Sequence, residues 1–295
     1  MGHYDVGATR RLKKGSMDDY DIGATIKLEN IWKEQTLDAK YFYYGDICAR
    51  VKKLLEKGAD PDAVESRYML TGLHLACVHG RKDLWDLLMY YGADVTKSDM
   101  WGNTVLHLAA SYMSTDVGGF FSTVLGLFET DVDLPNDAGS TPLHSLCTLN
   151  ENPNEILTLL LNRGASPDRQ RGSDGFTPLH IAAEKNRSVI VSRFIHEGAN
   201  LEIKNDDGKT ALEIAIDRES SDACRHLIYA GAGVKTSDSR IGLLTLGLCS
   251  RNAAVRNVFY VWLKEHERGK TYLKSVLKEG IISYVDGGDV FYHLR

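Results

Sequence analysis

The sequence predicts an all-α solenoid of six to seven stacked helix-turn-helix repeats, because two series of short motifs recur along the chain. The first is a Leu-His or Leu-Glu pair at residues 73–74, 106–107, 143–144, 179–180 and 212–213, in steps of 33, 37, 36 and 33 residues. The second is a Gly-Ala pair at residues 58–59, 92–93, 164–165, 198–199 and 231–232. A unit of about 33 residues cannot bury its own apolar face, so the copies are expected to stack.

Residues 174–198 show why each copy should form two helices. Asp174-Gly175 is typical of a tight turn. Thr177 then occupies an N-cap position and Pro178 the first helical position. A second apolar segment at residues 188–197 predicts another helix, and Gly198 is placed to end it in the left-handed conformation.

The tetrapeptide Thr-Pro-Leu-His is intact at residues 141–144 and 177–180, and is partly kept at 71–74, 104–107 and 210–213. With these motifs the sequence resembles the ankyrin-repeat family over about residues 39–238. The resemblance implies an ankyrin solenoid with β-hairpin-like turns between repeats. It also implies protein binding, although it does not identify the partner, because one fold serves unrelated partners.

Residues 1–30 are predicted to be a flexible or adhering N-terminal arm and not a repeat, since they are polar and contain glycine. The arm carries a duplicated motif, Tyr-Asp-Val-Gly-Ala-Thr at residues 4–9 and Tyr-Asp-Ile-Gly-Ala-Thr at residues 20–25. One interpretation is a linear motif that docks a partner, or the chain's own solenoid, twice. The other is a tail that arose by local duplication. The basic cluster at residues 10–14 indicates either nuclear import or a solvated tail.

The repeats occupy residues 31–238, and several depart from the regular pattern. Residues 30–64 form a degenerate first repeat, as expected of a terminal cap. In the second, Met69 stands at the glycine position and Gly72 at the proline position, which predicts an altered hairpin. The third has extra residues around 116–119, and the fourth has a polar turn at 150–154. The fifth and sixth repeats are the most regular.

Residues 239–295 are predicted to be a degenerate capping repeat with a C-terminal extension. Apolar patterns indicate helices at about 252–266 and 270–279. The end of the chain carries aromatic and β-branched residues around an Asp-Gly-Gly-Asp turn at 286–289, which favours a hairpin or an aromatic tail that packs back on the stack.

The composition is ordinary for a soluble globular protein. The chain has 295 residues, of which 43% are hydrophobic, and a formal net charge of −5. The negative charge argues against nucleic acid as the main partner, and the lack of an 18-residue apolar run argues against a membrane span. We also expect no small-molecule substrate and a monomeric chain. The five cysteines have no C-x-x-C spacing, which predicts reduced thiols and a cytoplasmic or nuclear location.

Two H-x-x-C pairs, His74 with Cys77 and His144 with Cys147, have a spacing that could serve zinc. Both histidines also occupy the capping position of a repeat, so structural hydrogen bonding is the favoured interpretation. No nucleophile, phosphate-binding or metalloprotease motif is present. The sequence therefore predicts a protein that is not an enzyme and has no cofactor or metal.

The ankyrin resemblance implies that hairpin turns and inner helices line a concave binding groove, where exposed aromatic residues are candidate hot spots. Trp101 is the leading candidate, because a tryptophan at a turn tip has little core to reach. For Phe176 and Tyr68, stacking on a neighbouring hairpin is an equally good interpretation. The predicted protein-binding residues are Trp101, Met100, Tyr112, Met113, Phe176, Arg171 and Tyr68.

The predicted function is a non-catalytic adaptor or scaffold that binds a partner protein on the concave ankyrin surface around repeats two to five. Three other classes remain open. They are the substrate-recognition subunit of a ubiquitin ligase, with residues 244–249 as a faint scaffold-binding box, a pathogen effector that binds a host protein, and the regulatory region of a larger enzyme or channel.

Overall fold

A computed structural model describes residues 20–36, 47–113, 116, 119–128, 131–148, 153–233, 247–248, 250–266, 282–286 and 289–292. Internal contacts divide the chain into two units, residues 1–137 and 138–295. Both units are built from helices, and two short strands lie near the C-terminus. This is the predicted all-α ankyrin solenoid fold.

The first unit is built from helices that pack in pairs. Helix α3 packs against α4 and α5, while α1 packs against α2 and α3. The pairs α3/α4 and α5/α6 are the second and third predicted repeats. The helices are α1 (Ile22–Thr36), α2 (Ile47–Leu55), α3 (Gly72–Val78), α4 (Lys82–Tyr90), α5 (Val105–Tyr112) and α6 (Phe120–Gly126).

The second unit continues the pattern of paired helices. Helix α9 packs against α7, α10 and α11, and α12 packs against α10, α11 and α13. The elements are α7 (Pro142–Leu146), α8 (Asn154–Asn162), α9 (Pro178–Glu184), α10 (Ser188–His196), α11 (Ala211–Asp217), α12 (Ser221–Tyr229), α13 (Ala253–Glu265), β1 (Ile282–Asp286) and β2 (Asp289–Tyr292).

A reciprocal cap begins the inner helix of each regular repeat. The Thr177 hydroxyl accepts a hydrogen bond from the His180 N–H at 3.3 Å, and Nδ1 of His180 accepts one from the Thr177 N–H at 3.1 Å. Because Nδ1 is an acceptor, the ring proton lies on Nε2. Nε2 donates it to the Lys209 carbonyl in the next hairpin, at 3.0 Å. The histidine therefore joins two consecutive repeats.

The same cap recurs with one change of chemistry. Thr71, Thr104 and Thr141 pair in this way with the histidine three residues later. In the last regular repeat Glu213 takes the histidine's place, and its Oε2 accepts from the Thr210 N–H at 2.7 Å. The carboxylate thus preserves the cap.

Most predicted helix ends agree with the structure. Helix α9 begins at Pro178 behind its Thr177 cap, α10 ends within one residue of the predicted position, and Gly198 follows with φ of 81°. Helix α13 lies within the predicted range 252–266. The predicted helix at 270–279 lies outside the described residues, as do residues 149–152 of the polar turn and the boundary at 238.

The C-terminal hairpin is present. Strands β1 and β2 are antiparallel, with Asp286 opposite Asp289, and β2 lies against α13. In the second and third repeats, isolated bridges join Val64 to Thr71 and Ser98 to Thr104, so these turns are β-hairpin-like as expected.

For residues 22–30 a flexible arm is wrong and the adhering alternative holds, since they form most of α1, which packs on α2 and α3. Ala24, Leu28, Ile31 and Trp32 are all at most 5% exposed. Their spacing of four, three and one residues is that of one apolar helix face. Residues 1–19 lie outside the described part of the chain.

The prediction of an altered hairpin at Met69 is also wrong. The Met69 N–H donates to the Glu65 carbonyl at 2.9 Å, as the Gly175 N–H donates to Arg171 at 3.0 Å in the fifth repeat. Met69 adopts a left-handed φ of 57°, and Gly175 one of 69°. The turn is therefore kept, and the methionine accepts the strained conformation that glycine adopts freely.

Candidate protein-binding surface

Four side chains form an exposed apolar surface on two neighbouring hairpin tips of the first unit. The rings of Tyr68 and Trp101 stack, with centroids 5.5 Å apart and planes 24° apart. Met69, Met100 and Trp101 are 51%, 47% and 49% exposed. We call Tyr68, Met69, Met100 and Trp101 the hairpin patch. It brings together three of the seven predicted residues.

Backbone hydrogen bonds hold Trp101 in place. The buried Asp99 carboxylate accepts from the Trp101 N–H at 2.9 Å and from the Asn103 N–H at 2.8 Å. The Trp101 carbonyl in turn accepts from the Asp137 N–H at 3.1 Å. The tip is therefore anchored both within its own hairpin and to the segment that follows.

The Tyr68 tip is held in a corresponding way. Glu65 is 1% exposed, and its carboxylate accepts from the Arg67 N–H at 2.6 Å and the Tyr68 N–H at 2.7 Å. The Arg67 guanidinium lies 5.0 Å from the centre of the Tyr68 ring. The Tyr68 carbonyl accepts from the Met100 N–H at 3.0 Å, which joins the two tips. Tyr68 thus stacks on its neighbouring hairpin, as one of the two interpretations of the sequence expected. It also forms part of the hairpin patch.

Met69 was not among the predicted site residues. Its position before α3 is one that glycine occupies in other repeats, and the left-handed turn carries its side chain outward to 51% exposure. A bulky residue at a glycine position of a turn is the signal that could have identified it.

Tyr112 and Met113 do not join the patch. Tyr112 is 58% exposed but ends α5, whereas the hairpin tip precedes that helix. Eight helical residues separate the two by about 12 Å. Met113 is 6% exposed and belongs to the core, so the prediction that it lies on an exposed binding surface is wrong.

Arg171 and Phe176 lie together on a hairpin of the second unit. The Arg171 guanidinium is 5.1 Å from the Phe176 ring centre and forms an ion pair with Asp174. The Phe176 ring also lies 5.5 Å from the His180 ring. Its partly exposed ring thus packs against two side chains of its own repeat.

In the first H-x-x-C pair, both ring nitrogens of the histidine form structural hydrogen bonds. Nδ1 of His74 accepts from the Thr71 N–H, and Nε2 donates to the Asn103 carbonyl at 3.2 Å, so neither nitrogen offers a free lone pair. Burial raises the pKa of the Cys77 thiol far above its usual range. Among the residues that the structure describes, no three histidine, cysteine or acidic side chains are grouped to hold a metal ion.

Among the four cysteines that the structure describes, Cys48 is the one that is not fully buried. It donates to the Asp83 carboxylate at 3.3 Å, and Arg81 binds the same carboxylate through Nε and Nη2. Burial and the Asp83 contact raise the pKa of Cys48 to about 11, which keeps the thiol protonated at neutral pH. The contact between the Cys48 thiol and the Asp83 carboxylate therefore joins α2 to α4. None of the described helices has the length and apolarity needed to cross a bilayer.

Comparison with known proteins identifies the repeats. A family model described as "Ankyrin repeats (3 copies)" matches residues 39–120, 73–171, 118–203 and 145–238. The chain is 30% identical over 183 residues to a B-cell lymphoma 3 protein homolog of Mus musculus, a match that covers 62% of this chain and 40% of the relative.

Two further relatives show how varied the matching proteins are. The chain is 32% identical over 165 residues to the nuclear factor NF-kappa-B p105 subunit of Gallus gallus, covering 55% of this chain and 16% of that protein. It is 27% identical over 184 residues to the palmitoyltransferase AKR1 of Lachancea kluyveri, covering 61% and 24%. The chain spans less than half the length of these curated relatives. The family match covers more than half of this chain, and on that ground the chain belongs to the ankyrin-repeat family.

Proposed function

We propose that this chain is a non-catalytic adaptor or scaffold that binds a partner protein through the hairpin patch. In the ankyrin architecture hairpin tips edge the concave surface, and ankyrin repeats in general serve protein–protein interaction. The observation that carries the proposal is the stacked, half-exposed Trp101 on Tyr68. Large aromatic residues of this kind dominate the binding energy of protein interfaces.

The geometry around the patch favours binding. Asp99 and Glu65 hold both tips through backbone N–H groups, so little conformational entropy is lost when a partner docks. Met69 and Met100 add flexible, polarisable side chains that adapt to a partner's surface. The proposed partner therefore presents an apolar segment that covers the Trp101 ring.

The test is a binding measurement with a partner captured by the intact chain from lysate and then purified. The double substitution Trp101→Ala, Met100→Ala is compared with Tyr112→Ala, which removes a somewhat more exposed aromatic ring about 12 Å away. We expect the first to weaken binding by roughly 30-fold or more, since a hot spot is worth about 2 kcal/mol. Circular dichroism checks that both variants fold.

The opposite pattern would overturn the proposal. If Tyr112→Ala abolishes binding and the double variant binds as the parent does, the partner contacts the end of α5 instead.

We also propose that the chain is monomeric and cytoplasmic or nuclear. Light scattering after size exclusion tests the first of these, and imaging of the full-length protein tests the second.

One observation favours a second candidate function. The matched segment makes up only 24% of the palmitoyltransferase AKR1 of Lachancea kluyveri, so ankyrin repeats of this kind also occur within a larger enzyme. In that case this chain would be the recognition part of a longer protein. The length of the natural reading frame decides between the two.

A further inference from the structure

The duplicated motif of the N-terminus has one copy whose binding site is visible. Residues 20–25 read Tyr-Asp-Ile-Gly-Ala-Thr and are followed by Leu28, while residues 4–9 read Tyr-Asp-Val-Gly-Ala-Thr and are followed by Leu12. The second copy forms the first turns of α1, which lies on the first repeat. Its contacts show what each motif residue does.

Asp21 and Thr25 bind the backbone that follows α2. The Asp21 N–H donates to the Gly58 carbonyl at 2.7 Å, and the Asp60 N–H donates to the Thr25 hydroxyl at 3.0 Å. The Asp21 carboxylate also caps α1 by accepting from the Ala24 N–H at 2.8 Å. We call the Gly58 carbonyl and the Asp60 N–H, with the surface between them, the α1 seat.

The apolar positions of the motif complete the contact. Ala24 is 5% exposed and Leu28 is fully buried, while Ile22 and Ile26 are 75% and 51% exposed. The motif therefore divides into residues that face the α1 seat and residues that face solvent.

The first copy keeps every residue that faces the seat. Asp5, Ala8, Thr9 and Leu12 have the spacing of Asp21, Ala24, Thr25 and Leu28. Within the corresponding span, residues 20–28, the two copies differ only where the second is exposed, at Ile22, Ile26 and Lys27. The residues of the second copy that bind or are buried at the α1 seat are all present in the first copy. Both copies therefore have the residues needed to make these contacts.

We propose that residues 4–12 are a second ligand for the α1 seat of the same chain, and that they exchange there with residues 20–28. The second copy is the stronger ligand, because it continues into the buried Ile31 and Trp32. At the equivalent positions the first copy continues into Gly15 and Ser16. Occupation by the first copy therefore withdraws Trp32 from α3 and uncovers that helix.

Charge also makes the first copy the weaker ligand. A shallow groove beside α1 is lined by basic residues of α1, of α2 and of the turn after α2, namely Lys27, Arg50, Lys53 and Lys57. Among the described residues, no acidic side chain lines it. The first copy would place Arg11 and Lys14 where Lys27 and Asn30 lie. Salt screens repulsion between exposed like charges, so the exchange is expected to increase with ionic strength.

Cysteine pairs test the exchange in the full-length chain. A Cβ atom at residue 58 would lie 3.7 Å from the Asp21 Cβ, within the range of about 3.5–4.5 Å that a disulfide requires. The pair Asp21→Cys with Gly58→Cys reports the second copy, and Asp5→Cys with Gly58→Cys reports the first. Arg11→Cys with Gly58→Cys is the matched control, because residue 11 is equivalent to the exposed Lys27. All three pairs include Gly58→Cys, which places a side chain at a positive φ. The resulting strain is the same in each pair and does not affect the comparison of their rates.

We expect the Asp5 pair to close within single chains at least tenfold faster than the Arg11 pair, and faster still at high salt or with Thr25→Ala, which weakens the second copy. Peptide mass mapping identifies the bonded cysteines. The Asp5 and Arg11 pairs are also compared in chains that keep Thr25. That comparison remains valid if Thr25→Ala fails to fold.

Three results would overturn the proposal. Equal rates for the Asp5 and Arg11 pairs would mean random collisions of the N-terminus. Covalent dimers alone would mean that the first copy docks on another chain. Failure of the Asp21 pair to close would mean that the seat does not hold the second copy as described.

Discussion

A Cβ atom on Gly72 would lie 2.6 Å from Cζ2 of Trp32 and 2.7 Å from Cδ1 of Leu88. The first turn of α3 therefore accommodates α1 only because residue 72 has no side chain. Two other repeats carry Pro142 and Pro178 at this position. The departure from the Thr-Pro-Leu-His tetrapeptide is thus explained by packing between helices, and the hairpin before it is unchanged.

Gly72→Ala is expected to lower the free energy of unfolding by about 1–3 kcal/mol, because an extra methyl group in a packed core forces side chains apart. Urea unfolding of the full-length chain measures the change. Gly126→Ala is the matched control, since Gly126 lies in α6 with no heavy atom close to an added Cβ. It is expected to be neutral or stabilising by up to about 1 kcal/mol. Equal effects of the two substitutions would contradict the packing of Trp32 on Gly72.

Met69→Gly is expected to raise the free energy of unfolding by up to about 1 kcal/mol, because it removes a side chain from a left-handed position with φ of 57°. Gly208→Ala makes the reverse change. Gly208 has φ of 73° and open space around an added Cβ, so only backbone strain should act, and a loss of about 1 kcal/mol is expected. Opposite signs in urea unfolding would confirm both turns, whereas a large loss with Met69→Gly would show that the methionine side chain stabilises the hairpin.

Acid is expected to destabilise the chain through its capping histidines. Burial lowers the pKa of His74 and of His144 to about 4 from an ordinary value of 6.5, and lowers that of His180 as well. Above pH 6.5 these groups are neutral in both states, so their stabilising contribution is fully present. Between about pH 6.5 and 4 the unfolded chain binds protons that the folded chain does not. The free energy of unfolding should fall there by about 1.4 kcal/mol per pH unit for each of His74 and His144, and His180 should act in the same direction.

The substitution His144→Gln isolates the contribution of one histidine to this pH dependence of stability. Nε2 of His144 donates to the Phe176 carbonyl at 3.0 Å, and loss of that bond should cost about 1 kcal/mol at pH 7.5. Since glutamine does not titrate, urea unfolding at pH 7.5, 6.5, 5.5 and 5.0 should show a slope smaller by about one proton. An unchanged slope would mean that the His144 ring is protonated in the folded state.

Trp101→Ala is expected to change the free energy of unfolding by less than about 1 kcal/mol, because half of the side chain is exposed. Asp99→Ala should cost about 1–3 kcal/mol, since it leaves the N–H groups of Trp101 and Asn103 without their acceptor. Both should weaken binding of the partner. Unfolding and affinity are measured on the same samples, which distinguishes Trp101 as a contact residue from Asp99 as a residue that positions it. A strongly destabilised Trp101→Ala would contradict this, because it would place the ring in the core.

Local chemistry allowed much of the fold to be predicted. Thr177, Pro178 and Gly198 act within one helical turn of their own position, so the start of α9 and the end of α10 follow from the residue types alone. Exposure of side chains at helix ends was less predictable. Tyr112 and Met113 are adjacent in sequence, yet one is 58% exposed and the other 6%. Which of them faces inward depends on where α5 ends and on what packs beside it.

By itself the sequence determined the repeats, their caps and their family, because these depend on hydrogen bonds and turn conformations over a few residues. It also indicated Trp101, since a tryptophan in a turn has little core nearby. Only the tertiary structure decided that residues 22–36 form a helix on the first repeat, that Gly72 makes room for Trp32, and that Tyr68 stacks on Trp101. These relationships join residues about 30 or more positions apart, and their energy comes from surfaces that meet only when the repeats have packed.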